Sequence, residues 1–154
     1  MPLNICSGSH DPRARDLSNF TPFPFILDGI TLASVEGFIQ GIKRPVGDPM
    51  RELAFCSFGK EAKRLGRHAE RKFVWWKDKK IVYGSREHHY LIERAIRAKF
   101  EQNPNAMKSL LATEGMILTH DLGYTESPHT SLPERVFCGI LTRIRQEKLK
   151  ERRN

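Results

Sequence analysis

Hydrophobic residues along the chain switch between two spacings, and the switches mark the elements. "FPFILDGITLA" (Phe23–Ala33) holds two short apolar runs around Asp28-Gly29. That dipeptide supplies the positive φ of a type I′ turn, so a β-hairpin is predicted. Ser34 then caps a helix over Val35–Lys43, and "RPVGDP" (Arg44–Pro49) breaks it. A helix follows Asp48 with proline in its first turn, and Met50, Leu53, Ala54 and Phe58 would form its apolar face. "KEAKRLGR" (Lys60–Arg67) reads as a short helix stopped near Gly66. "KFVWWKDKKIVYG" (Lys72–Gly84) is either a strand pair turning at Lys77–Lys80 or a loop.

The strongest helical period lies in "REHHYLIERAIRAKFEQN". There Ile92, Ala95, Ile96, Lys99 and Phe100 share a face and Ser85 is placed to cap. "PNAMKSLLAT" continues as a proline-initiated helix, and "EGMILTHDLGYTESPHT" as a short strand and a long loop. The last helix opens at "SLPE", where Ser131 and Glu134 fit a capping box, and buries Phe137, Ile140, Leu141 and Ile144. Several helices with a few short strands predict an α+β domain, mostly helical. Residues 1–15 read as irregular, 16–148 as the domain, and 149–154 as a basic, solvated tail.

Composition narrows the partners. The chain has 154 residues and a net charge of +8, which favours an anionic partner without saying which. No apolar run is long enough for a bilayer, and "MPLNICSGSHDPRAR" lacks the apolar middle of a signal peptide. A cytoplasmic protein with no membrane partner is expected. Cys6, Cys56 and Cys138 are odd in number and form no CxxC pair, so a disulfide framework or zinc knuckle is not expected. Cys56 and Cys138 sit among apolar residues and read as small core side chains.

Candidate chemistry gathers on the first long helix. Glu36, Gln40 and Lys43 are four and three residues apart and share one helical face. Such a stripe is either solvated or aimed into a cleft, where the carboxylate orients water or stabilises a cationic sugar and the lysine holds a phosphate. His88 and His89 diverge by about 100° on a helix and cannot share a metal. No histidine shows metal-ligand spacing. His120-Asp121 could form an acid/base pair. Lys63, Arg64 and Arg67 form either a solvated basic face or a phosphate clamp. Of Trp75 and Trp76, one is expected in the core and the other partly exposed, where it could stack on a base.

Taken in order, "LSNF", "PFPFILDG", "SVEGFIQGIK", "AKRLGR", "IRAKFEQNP", "LLAT" and "CGILTRIR" resemble the NADAR family, the YbiA-like proteins, over Leu17–Lys148. The resemblance implies a mostly helical α+β fold and N-glycosidase chemistry at a ribose C1–N bond, with no cofactor and no metal. It implies as partners a phosphorylated ribonucleoside-like small molecule, such as a ribosylamino-pyrimidine of riboflavin synthesis, or ADP-ribosylated nucleic acid modified on guanine. It makes Glu36 the catalytic carboxylate, with a late acidic partner at Asp121 or Glu126. Asn19, Phe20, Lys43, Arg67 and Lys99 fall on its substrate-binding positions. Trp76 is a candidate for its stacking aromatic, although Tyr83 lies closer by counting. The chain departs from the family at "TESPHTSLPERVFCG", which lacks its tryptophan and places Val136 where its asparagine falls. A catalytically silent module that binds ADP-ribose, NAD or nucleic acid is the alternative.

Overall fold

Strand pairing begins at the N-terminus, where Pro2–Asn4 (β1) runs parallel to Ile117–Thr119 (β6), with Pro2 opposite Ile117 and Asn4 opposite Thr119. The Ile5 N–H donates to the Thr119 carbonyl at 2.8 Å and extends this ladder. Pro12–Leu17 (α1) follows, capped by Asp11, whose side chain accepts from the Arg13 N–H. The expectation of an irregular segment over 1–15 is thereby corrected. A three-residue strand whose partner lies far along the chain, and a helix of six residues, are too short to carry a readable period. These assignments come from a computed structural model describing residues 1–154.

Two hairpins follow the predicted chemistry. Phe25–Leu27 (β2) and Ile30–Leu32 (β3) pair antiparallel across Asp28-Gly29, with φ of 48° and 80° at the two turn residues, as a type I′ turn requires. Phe73–Trp76 (β4) pairs with Lys79–Val82 (β5). This settles the open alternative in favour of strands and tightens the turn to Lys77-Asp78, with Lys77 at φ 54°. Two-stranded ribbons are marginal alone, and these lean on helices. The Trp75 N–H donates to the Ile42 carbonyl at 2.8 Å, just past the end of Val35–Gly41 (α2).

The remaining helices are Pro49–Phe55 (α3), Gly59–Gly66 (α4), Arg86–Gln102 (α5), Pro104–Leu111 (α6) and Glu134–Arg153 (α7). The protein is an α+β domain, mostly helical, as the sequence predicts. Its core centres on Phe38 of α2, whose ring meets Trp76 edge-on at 5.0 Å and stacks on Phe55 at 6.4 Å. No helix is long and apolar enough to cross a membrane.

Three local expectations change. Helix α3 buries Arg51, Ala54 and Phe55, whereas Met50, Leu53 and Phe58 are exposed. Its backbone lies so close to α2 that small or flat groups must face inward. No capping box forms at α7: Pro133 is its N-cap, Ser131 Oγ instead pairs with the Tyr83 hydroxyl at 2.9 Å, and Glu134 accepts the His120 N–H at 2.6 Å. The basic tail over 149–154 continues α7 as far as Arg153, which reaches Glu114 at 2.7 Å.

Candidate active site

Every residue of α2 is buried, which is unusual for a helix carrying Glu36 and Gln40. Glycine explains it. A Cβ at Gly37 would sit 2.6 Å from the Ser57 carbonyl, and one at Gly41 2.5 Å from the Phe55 ring. A Cβ at Gly66 of α4 would sit 2.9 Å from Gln40 Cβ. Three missing methyls let α3 and α4 close over α2. The stripe that periodicity could leave in solvent is thus sealed inside, with Glu36, Gln40 and Lys43 at 8%, 7% and 6% exposure.

Glu36 is held from two sides. Its backbone N–H donates to the Asn19 carbonyl at 3.0 Å, and its Oε1 accepts the Gln40 amide at 3.0 Å. Ser34 caps the helix beneath it, accepting the Gly37 N–H at 2.9 Å. Burial raises the pKa of Glu36 above the usual carboxylate range, against the opposing pull of Gln40, Lys43, Lys63 and His120. Lys43 is pushed down to about 8, again mainly by burial, with the nearby cations Arg71, Arg44 and Lys63 adding to the effect against the pull of Glu36. A carboxyl that is costly to ionise, ringed by cations, suits water activation and the stabilisation of transient positive charge.

The LSNF segment forms the floor. Lys99 is 1% exposed, and its ammonium donates to the Ser18 carbonyl at 3.0 Å, 5.3 Å from the Phe23 ring centre and 5.0 Å from that of Phe100. Ser18 Oγ accepts the Phe20 N–H at 3.2 Å. A relay therefore runs from Lys99 through Ser18 and Asn19 to Glu36. Lys99, expected on substrate, is a sealed support for the turn. Phe20 is half-buried beneath Lys63, whose ammonium lies 6.0 Å from its ring centre.

Trp76 is also sealed. It is 4% exposed and its Nε1 donates to Asp28 at 2.7 Å, so it packs the core and offers no face for stacking. Trp75 is the half-exposed member of the pair. Arg67 is exposed just after α4, next to the glycine that receives Gln40. Asp121 is exposed and its carboxylate accepts the Gly123 N–H at 2.8 Å within its own loop. The charge of the neighbouring, half-buried His120 reaches Glu36 instead. The β1–β6 ladder ends at Thr119, and His120 Nδ1 donates to the Ile5 carbonyl at 3.1 Å beyond it. The other late acid, Glu126, accepts the Glu134 N–H at 2.7 Å and braces the altered loop. Cys56 is exposed at the end of α3, not in the core. Cys138 is half-buried, its thiol pushed up to about 12 chiefly by burial.

In the sequence His88 reads only as a residue that cannot share a metal with His89. It is fully buried on α5 beside Tyr83, 4.9 Å between ring centres. Burial above all, then the neighbouring His89 and the charge of Lys43, holds its imidazole down to about 4. Its Nε2 and Gln40 Oε1 are the buried side-chain atoms without a hydrogen-bond partner.

Residues 12–146 match the family described as bacteriophage protein GP30.3. The chain belongs to that family. A 17.1 kDa protein from the Gp30-rIII intergenic region of Enterobacteria phage T4 is 33% identical over 138 residues, covering 84% of this chain and 88% of its own. The solved NMR structure of Escherichia coli YbiA superposes with a TM-score of 0.65 at 26% identity, over 98% of this chain and 86% of the other. This GP30.3-family protein thus carries the YbiA-like NADAR fold, as the ordered motifs predict.

Proposed function

We propose that this GP30.3-family protein is an N-glycosidase that hydrolyses a ribose C1–N bond of a phosphorylated ribosyl substrate. The observation that carries the reading is a carboxylate built into the protein's interior at cost. Glu36 has a dedicated hydrogen-bond donor in Gln40, a fixed backbone through Asn19, and the cations Lys43 and Lys63 nearby. A solvated polar stripe needs none of these.

In the proposed reaction, Glu36 removes a proton from a water whose oxygen bonds to C1. The C1–N electron pair leaves with the base, and the fixed carboxylate stabilises the oxocarbenium-like charge on the ribose. His120 is the titratable group at hand to return a proton to the departing nitrogen. Its Nδ1–H is engaged by Ile5, which leaves Nε2 for exchange. Lys43 and Lys63 hold phosphate, and Asn19 and Phe20 border the ribose.

Charge placement favours the nucleic-acid form of the substrate over a free pyrimidine. Residues 60–80 carry nine lysines and arginines against three acids, a net +6 of the chain's +8. All nine are exposed. They lie on α4, on the segment 67–72 that follows it and on the β4–β5 hairpin, and two of them, Lys63 and Arg71, bear on Glu36 and Lys43 respectively. A ridge of this kind follows a phosphate backbone.

The test is incubation with an ADP-ribosylated oligonucleotide, NAD and a ribosylamino-pyrimidine phosphate, with products read by mass spectrometry. Free base or ADP-ribose is expected from the oligonucleotide, and Glu36→Gln should lower its release roughly 1,000-fold while binding persists. Undiminished turnover in Glu36→Gln removes the carboxylate from the mechanism. Tight binding without product from the native protein supports the silent binding module.

A further inference from the structure

The β4–β5 hairpin has two unlike faces. Register pairs Val74 with Ile81 on the face turned to the core, and Trp76 lies on the same side of β4. All three are buried. The opposite face pairs Phe73 with Val82 and Trp75 with Lys80. Phe73 and Trp75 are partly exposed, Val82 is 59% exposed and Lys80 is exposed. Two rings, a valine and a lysine therefore reach solvent on one surface. The ring centres of Phe73 and Trp75 lie 6.4 Å apart. The Lys80 ammonium sits 4.1 Å from the centre of the Phe73 ring, an attraction that holds the charge beside Trp75.

Trp75 stands on a fixed backbone. Its N–H donates to the Ile42 carbonyl at 2.8 Å. Its carbonyl accepts the Arg51 guanidinium at 3.0 Å, and Arg51 also donates to the Arg44 carbonyl at 2.8 Å. Arg51 is 3% exposed, so a buried cation ties this surface residue to the end of α2. Ile42 and Arg44 flank Lys43 in the chain. A ring whose backbone is already held loses little freedom when a flat ligand lands on it.

We infer that the outer face of this hairpin docks single-stranded nucleic acid, with an unpaired base stacked on Trp75 and the adjoining phosphate held by Lys80. Charge complementarity argues for this occupant. The nine exposed lysines and arginines of residues 60–80 include Lys77, Lys79 and Lys80 of the hairpin itself. Charge alone would serve a duplex or any polyanion, and the ring is what selects. Bases in a duplex are stacked on one another, whereas an unpaired base offers its face to an aromatic side chain. That the strand leads on to Glu36 rests on the N-glycosidase reading above; the stacking itself does not.

Fluorescence tests it directly. The chain has two tryptophans and Trp76 is sealed, so quenching by a base reports Trp75. A short single-stranded oligothymidylate should quench the native protein, and an abasic strand with the same phosphates should not. Oligouridylate separates RNA from DNA, and quenching by either supports the inference. In anisotropy titrations Trp75→Leu should bind the single strand about tenfold more weakly, with an unchanged salt slope because the phosphate contacts remain. Trp75→Tyr should keep most of the affinity. Equal binding by native protein and Trp75→Leu, or equal quenching by the abasic strand, overturns the inference. Polyglutamate binding as tightly as the oligonucleotide also overturns it and marks the surface as one for acidic protein. Trp75-dependent binding with nothing released from an ADP-ribosylated oligonucleotide overturns the N-glycosidase reading and leaves this inference intact. Release that Trp75→Leu does not alter at low substrate overturns this inference and leaves the N-glycosidase reading intact.

Discussion

Replacing Lys99 by methionine separates the two jobs of that side chain. Lys99 is sealed under the LSNF turn, and burial brings its pKa down to about 7 from the ordinary 10.5. Between those values the unfolded chain binds more protons than the folded one. Stability therefore rises with pH across the window, and the lysine's destabilising contribution is fully present below it. For one group so shifted, the rise from pH 7 to pH 9 is about 2 kcal/mol. Lys43, at about 8, adds about 1 kcal/mol in the same window.

Methionine keeps the stem volume and removes the charge. Denaturant unfolding of native protein and Lys99→Met, followed at intervals between pH 7 and pH 9, should give curves that diverge by about 2 kcal/mol, the native protein rising more steeply. The substitution also removes the Ser18 bond. Release of base should fall even where stability is regained, because Asn19 no longer holds Glu36 firmly. Parallel stability curves would refute the reasoning, since they would mean that Lys99 titrates alike in the folded and unfolded states.

Other outcomes follow from the same geometry. Gly66→Ala forces a methyl into the Gln40 side chain, so a loss of about 1–3 kcal/mol in chemical denaturation is expected, with a larger fall in turnover than in substrate affinity. His88, neutral in the fold and held at about 4, makes stability fall as pH drops from 6.5 towards 4. Its share is about 3 kcal/mol, and His88→Gln should flatten that acid limb in pH-dependent unfolding. Arg145 is buried and donates to the Thr113 carbonyl and hydroxyl at 2.8 and 3.0 Å. Arg145→Met should cost about 2 kcal/mol in thermal unfolding and leave base release per folded molecule unchanged. Reversing Lys79 and Lys80 to glutamate should weaken oligonucleotide binding and reduce its salt slope by about 2, with ribose 5-phosphate affinity unaltered.

What the linear chain settles here is local. Asp28-Gly29 requires positive φ at successive residues, which only a tight hairpin supplies, and both angles are found. Ser34 and Ser85 cap their helices because a side-chain oxygen two or three residues before a free amide has nowhere nearer to bond. The ordered motifs carry the family and the α+β fold, and they single out Glu36 as the candidate carboxylate. Burial was decided by tertiary contact. Whether Glu36, Gln40 and Lys43 faced water or a cleft depended on Gly37, Gly41 and Gly66 meeting other helices, and no period within α2 encodes that. The same holds for Lys99 and Trp76, which look like ligand contacts in the sequence and become sealed supports once Ser18 and Asp28 are brought to them. His120 is half-buried and Asp121 exposed because the N-terminal strand pairs with β6 from the far end of the chain and fixes which of two neighbours turns inward. Short-range rules see a hydrogen bond between near residues. They do not see an atom such as His88 Nε2, which the fold encloses and leaves unpaired.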